Sequence, residues 1–550
     1  MSSPSGKGLE GAARVTASRF LQSVVVVDDR ALLGDRSEPP IARPGSVQDK
    51  GSGSTGKLVT PAAANYVEDD RHDLNAKEVV DQFASLGLVC AVLKPVEPED
   101  PGPATVAAAS RADIVILDWY LNKIVGDTTL DLIDAVIKAD EATGGVSRLR
   151  LVVIYTGESN LRQITTRVRH RLEKHYPGAK TSRPNPFTVV RGPVRVSVFA
   201  KSGARISQHL TELRRRRVAT QELPDRVINE FAVMTAGLVP GVALESVAAI
   251  RANTHKLLAR MSPDLDPAYL FHRAMQSNPP DAEEHLIELV AGEIWAILED
   301  SPAATSANMD RIKDWLEANK AGADLNIDFD GTTLKLSHVV DLLDKGIANA
   351  RVQSLFGKFG KKPPLSMKAF GESTASTERA NLAFAVLAAL KTQYMRPPPH
   401  LTLGTVLSRR SGARRQFLVC VQPRCDSVRL SGKQQFPLLP VNVAEPNKPF
   451  DLVIPDGLGR WLTRPSKYVR LRMVTQPAKL VMVTFPVTSG DDSVVAQPRS
   501  KRFRFMAEGH HAFWWAGQLK AEHAQRLATV VGNEFSRVGL TESEWLRRWN

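Results

Sequence analysis

The chain has 550 residues, 43% hydrophobic and 24% charged, with 36 Gly and 35 Pro. That profile excludes a fibrous or wholly disordered protein and predicts several folded domains. A net charge of +13, from 72 Lys and Arg against 59 Asp and Glu, fits nucleic acid, an acidic protein partner or a solubility margin and chooses none of them. Three cysteines, Cys90, Cys420 and Cys425, exclude a disulfide framework and point to a reducing, cytoplasmic setting.

In chain order, residues 1–20 lack the apolar stretch of a secretory signal and are expected to form a flexible tail. The densest apolar run, Val24 to Val27, ends at Asp28 and Asp29, so no membrane span is predicted. Over 21–203, short and fully apolar runs alternate with helical patterns, the signature of a parallel sheet covered on both faces. The strand-like runs are VVVV (24–27), LVCAVL (88–93), DIVIL (113–117), LVVIY (151–155) and VSVFA (196–200), with an additional FTVVR (187–191). Helices are predicted in LNAKEVVDQFASLG, ATVAAASRA, TTLDLIDAVIKADEATG and NLRQITTRVRHRLEKHYP. Residues 31–73, rich in Gly, Ser, Pro and charge, interrupt the first βα unit as a loop insertion expected to be disordered.

Residues 204–395 show helical spacing throughout, broken by Pro-Pro at 279–280 and 363–364, and predict a helical domain. From Arg396 the segment RPPPH opens a β-rich domain over 396–550. Its strand-like runs include HLTLGTVL, QFLVCVQP, FDLVIP, YVRLRMV, KLVMVTFPV and RFRFMA, followed by a helix near Gln518 to Phe535 and a final ESEWLRRW.

Ligands of an open parallel sheet bind beyond the carboxyl ends of its strands. Asp28 and Asp29 follow the first predicted strand, Asp118 the third, Thr156 the fourth and Lys201 the fifth, so all five converge on one edge. Three carboxylates together repel one another unless a cation lies between them, and Mg²⁺ suits hard oxygen ligands. A carboxylate can act as a covalent nucleophile toward phosphorus, with a lysine and a hydroxyl contacting the phosphoryl oxygens.

VVVVDD, IVILDW, VIYTG and VFAKS resemble the motifs of the response-regulator receiver family. The resemblance implies a flavodoxin-like, doubly wound, five-stranded parallel domain. It also implies that Asp118 is the phosphoacceptor, Thr156 the switch hydroxyl and Lys201 the phosphate-pairing lysine. Asp28, Asp29, Asp118 and the main-chain carbonyl of Tyr120 would hold Mg²⁺, and a histidine kinase would supply the phosphoryl group. The chain departs from the family in having Ser202 after the lysine, in the 31–73 insertion and in a long interval from Thr156 to Lys201. The DWYL form of the acceptor motif, the insertion and the long remainder resemble divergent receivers of bacterial phage-defence (Detocs-like) two-component systems. That likeness implies buffering or relay of an antiviral defence signal and a separate effector from the same operon, and the lack of a recognisable helix-turn-helix, Walker motif, zinc set or Ser-His-Asp arrangement favours no enzymatic activity beyond the receiver's own phosphorylation and dephosphorylation. The alternative is a phospho-switched effector whose C-terminal region binds nucleic acid or carries an unrecognised enzymatic activity.

Other motifs read as structural. GSGSTGKL (51–58) lacks the closing Ser or Thr of a phosphate loop and any preceding strand, so it reads as linker. LRRRR (213–217) reads as a solvated face or a patch for an acidic partner, Cys420 and Cys425 as structural thiols, and FWW (513–515) as packing rather than a base-stacking platform.

Overall fold

The computed structural model describes residues 8–32, 73–95, 102–121, 124–142, 148–175, 180–181, 185–206, 211–319, 327–329, 332–346, 348–350, 352, 354, 370, 374–394, 397–411, 414–445, 448–456, 467–476, 479–500 and 502–535. Of the insertion, residues 33–72 fall outside the described residues, as do the GSGSTGKL linker, the second Pro-Pro pair and ESEWLRRW, while Ala31–Leu32, expected to be disordered, form a short strand paired in parallel with Leu74–Asn75. The chain divides into two compact units, one built mainly from residues before 345 and the other mainly from those after it.

The first unit is built on an α/β sheet. Its strands are β1 (Ser23–Val27), β2 (Val89–Leu93), β3 (Ile114–Leu117), β4 (Arg150–Thr156), β5 (Lys180–Thr181), β6 (Thr188–Arg191), β7 (Val194–Lys201) and β8 (Arg217–Val218). They lie in the order β2-β1-β3-β4-β7-β6-β5, with β8 also on β7. The five predicted strands form the parallel centre in register, Val24 beside both Cys90 and Ile114, Ile114 beside Leu151, and Arg150 beside Val194. FTVVR becomes β6, antiparallel to β7, and two short strands bring the sheet to eight rather than five.

The apolar runs are continuous because both faces of the sheet are covered. The helices are α1 (Leu9–Phe20), α2 (Ala76–Ala84), α3 (Pro103–Arg111), α4 (Asp127–Ala142), α5 (Leu161–His175) and α6 (Leu223–Thr235). Val25 and Val27 pack with Ile133 of α4 and Val168 of α5. Val24 and Val26 pack on the other side with Phe83 of α2 and Phe231 of α6. Local signals set the ends: the Asn75 side chain caps α2 by accepting from the Glu78 amide at 3.1 Å, and Pro103 starts α3.

The tail expected over residues 1–20 is a helix from residue 9 onward. Its buried face is made of Ala13, Thr16 and Ala17, small enough to let α1 lie close to α6, and Phe20 stacks on Phe231 with ring centroids 5.6 Å apart. A stripe of small residues has little hydropathy, so it reads as tail.

Helices α7 (Leu238–Arg260), α8 (Asp266–Met275), α9 (Asp281–Glu299), α10 (Met309–Asn319) and α11 (Leu336–Lys345) complete the first unit. Arg251 of α7 grips Asp113, at the start of β3, through two 3.0 Å hydrogen bonds and lies over the Phe20 ring. Glu230 of α6 accepts from Arg195 and Ser197 of β7 and from Arg216. Burial alone would raise its carboxyl, but the two guanidinium groups hold it below the usual range. The LRRRR run is therefore not one solvated face: Arg214 and Arg215 are exposed, whereas Arg216 and Arg217 are engaged inside.

The second unit contains α12 (Thr374–Ala389), an antiparallel sheet and α13 (Ala521–Phe535). The strands are β9 (Thr405–Ser411), β10 (Arg414–Cys420), β11 (Lys433–Val443), β12 (Leu452–Pro455), β13 (Tyr468–Met473), β14 (Val481–Pro486), β15 (Gln497–Arg499), β16 (Arg502–Met506) and β17 (Ala512–Gln518). Their order is β12-β13-β11-β10-β9-β17-β16-β15, with β14 on β11. One face packs Val406, Phe417 and Val419 against Leu390 and against Leu527 of α13. The other encloses Phe436, Phe485, Phe505 and Phe513, with Phe485 in edge-to-face contact with the other three. Cys420 is buried here and its thiol is pushed up to about 12, as an inert structural residue would be, while Cys425 is exposed. No helix among the described residues is long and apolar enough to cross a membrane.

Candidate functional site

β1, β3 and β7 end together, and each delivers a charged residue as its backbone leaves the sheet. Asp28, Asp118 and Lys201 are almost fully buried, and Asp29 is half-buried. The Lys201 Nζ donates to Asp28 Oδ2 at 2.7 Å and to Asp118 Oδ2 at 2.9 Å. Oxygens of Asp28, Asp29 and Asp118 lie within 4.8 Å of one another. Three carboxylates against one ammonium leave two negative charges in excess, and the donor set is entirely hard oxygen. These residues fit a divalent cation of the Mg²⁺ type.

The electrostatics follow from burial. Loss of water pushes the Asp118 carboxyl up to about 7, with Lys201 pulling it down and Asp28 pushing it further up. Burial works against the charged form of Lys201, but the flanking Asp118 and Asp28 outweigh it and raise its pKa above the usual lysine range. The lysine therefore stays an ammonium between the acids.

The remaining predicted residues lie at the same edge in different roles. Thr156, fully buried, ends β4 in register with Ala200, next to Lys201, and its Oγ1 accepts from the Glu158 amide at 3.1 Å. Among the described residues no hydrogen bond joins it to Asp118. The Tyr120 amide donates to Asp118 Oδ1 at 3.4 Å, keeping its peptide beside the acid. The Arg30 amide donates to Asp28 Oδ1 at 2.9 Å.

A supporting loop escaped the sequence reading. After Asp118 the chain pairs Tyr120–Leu121 with Ile124–Val125, and the buried Thr129 of α4 donates to the Asp118 carbonyl at 2.7 Å. Trp119 is buried beneath, with the Arg167 guanidinium 5.1 Å from its ring. Gly126 makes the turn at φ +85°, its amide donating to the Trp119 carbonyl, and any Cβ there would collide with the Trp119 indole. A glycine after an apolar pair was the available signal. Gly126→Ala should cost about 2 kcal/mol through the left-handed backbone and the clash, visible as a lower melting temperature; an unchanged melting temperature would show that the loop simply relaxes.

Residues 20–205 match a family model described as Response receiver domain. No curated protein and no solved structure gives a significant match. The α/β part of the first unit is thus a receiver domain.

Proposed function

We propose that the receiver, over 21–203, takes a phosphoryl group from a histidine kinase onto Asp118. The observation that carries this reading is the position of Asp118, buried at the end of β3 with Lys201 on one carboxylate oxygen and two further acids beside it. An Asp118 oxygen attacks phosphorus, the phosphorus–nitrogen bond of the phosphohistidine breaks, and the electron pair leaves with the imidazole. Asp28, Asp29, Asp118 and the main-chain carbonyl of Tyr120 would hold Mg²⁺, which supplies charge neutralisation for the transferring group. Lys201 is placed to donate to a phosphoryl oxygen, and Thr156 supplies the switch hydroxyl.

The finer reading is a cytoplasmic member of a bacterial two-component system that buffers or relays an anti-phage signal to a separate effector. It rests on the DWYL acceptor motif, the 31–73 insertion and the long C-terminal remainder.

Incubation of the full chain with a kinase or a small acyl phosphate and Mg²⁺ should add one phosphoryl group, read by intact mass. Asp118→Asn and chelation of the metal should each abolish it. Equal labelling of Asp118→Asn would remove Asp118 as acceptor, and equal labelling without divalent metal would remove the metal role.

A further inference from the structure

Residues 397–550 hold 23 Lys and Arg against 11 Asp and Glu, so this stretch carries +12 of the chain's +13. Five of its arginines, Arg410, Arg415, Arg499, Arg502 and Arg504, share one sheet face. In β17, Phe513 and Trp515 point into the buried aromatic cluster, which turns Trp514 to the opposite face, where it is half-exposed. Trp514 lies opposite Ser408 of β9 on one side and Arg504 of β16 on the other. Two residues along each strand, on the same face, are Arg410 and Arg502. Register then sets Arg410 beside Arg415 of β10 and Arg502 beside Arg499 of β15.

The result is a row of guanidinium groups running across five neighbouring strands with one indole in the middle. The Arg502 guanidinium lies 6.0 Å from the Trp514 ring centroid. Arg415 is paired with Asp456 at 2.9 Å. The Nε of Arg504 is buried without a hydrogen-bond partner among the described residues. Like charges directly opposite on adjacent strands destabilise a sheet. This face sets Arg410 against Arg415 and Arg499 against Arg502, a repulsion that a bound polyanion would relieve.

We propose that this face of the second unit binds single-stranded nucleic acid, with a base stacked on Trp514 and backbone phosphates on the flanking arginines. A duplex hides its base faces from a lone indole, whereas a single strand offers them. An acidic peptide would satisfy the arginines but leave the indole unused. The inference is independent of the phosphoacceptor reading.

The test is fluorescence anisotropy of the full chain with labelled single-stranded DNA and RNA of about 20 nucleotides, over a range of salt. Binding of either strand should weaken with salt, with a logarithmic slope of about −0.7 per phosphate contact. Trp514→Ala should weaken it by about tenfold, and Trp514→Phe should restore most of it. Because Trp514 is half-buried, a second variant pairs Arg499→Gln with Arg502→Gln, both exposed. It should flatten the slope by about 1.4 while leaving the melting temperature unchanged. Absence of salt-dependent binding by the wild type would overturn the proposal. So would wild-type affinity in both Trp514→Ala and the arginine pair, or equal affinity for a duplex or for a poly-glutamate peptide.

Discussion

Arg150→Leu is expected to lower the stability of the receiver unit by about 3–5 kcal/mol, because it removes one partner of a fully buried ion pair. Arg150 opens β4 and is wholly buried, with Nε 2.8 Å from Asp140 Oδ2 in α4. Its Nη1 also donates to the carbonyls of Ala109, at 3.0 Å, and Ala112, at 2.8 Å. These are the last carbonyls of α3 and the residue that caps it, groups a helix end cannot satisfy by itself. Leucine would take the Arg150 guanidinium from the buried Asp140 carboxylate and its donor from the Ala109 carbonyl, so the loss exceeds that of an apolar truncation of equal size. Asp140→Asn should cost less, since the guanidinium keeps its contacts with α3. Urea unfolding followed through hydrogen exchange of the β4 amides separates this unit from the other. A loss under about 1 kcal/mol for Arg150→Leu would mean that the network is solvated and carries little.

That residue also shows where the sequence was readable and where it was not. The strands of the sheet centre were legible because burial on both faces makes them plain apolar runs, and each run ended at a charged or hydroxyl residue. Asp28, Asp29, Asp118, Thr156 and Lys201 could therefore be assigned to one edge before any geometry was known. Arg150, at the start of such a run, gave no signal, since an arginine at a strand boundary ordinarily reaches water. The α1 helix was illegible for the opposite reason: its packing face is Ala13 and Ala17, and close approach leaves no hydropathy pattern. β5 and β8 are two-residue strands, too short to show any periodicity of their own. The FWW motif divides: Phe513 and Trp515 pack internally, whereas Trp514 faces outward, because strand periodicity separates neighbours that composition treats as a block.

The largest combined effect is expected at Lys201. Its ammonium lies between Asp28 and Asp118, and all three side chains are nearly inaccessible to water. Lys201→Met keeps a chain of similar length and removes the charge, leaving two carboxylates facing each other in a dry site. In the absence of divalent metal the variant should lose about 3–5 kcal/mol of stability. Mg²⁺ should then raise its melting temperature by more than it raises that of the wild type, because the cation takes over the neutralisation that the ammonium supplied. Phosphoryl transfer should not recover with it. On the proposed mechanism the lysine donates to a phosphoryl oxygen as charge develops there, and loss of one such donor costs roughly 10²–10³ in rate. Thermal melts with and without Mg²⁺, beside the rate of mass gain from a small acyl phosphate, give the two readouts separately. A variant that melts like the wild type in chelator would show that Lys201 does not hold the acids together. One that is phosphorylated at the wild-type rate would remove the lysine from the transfer step while leaving its structural role intact.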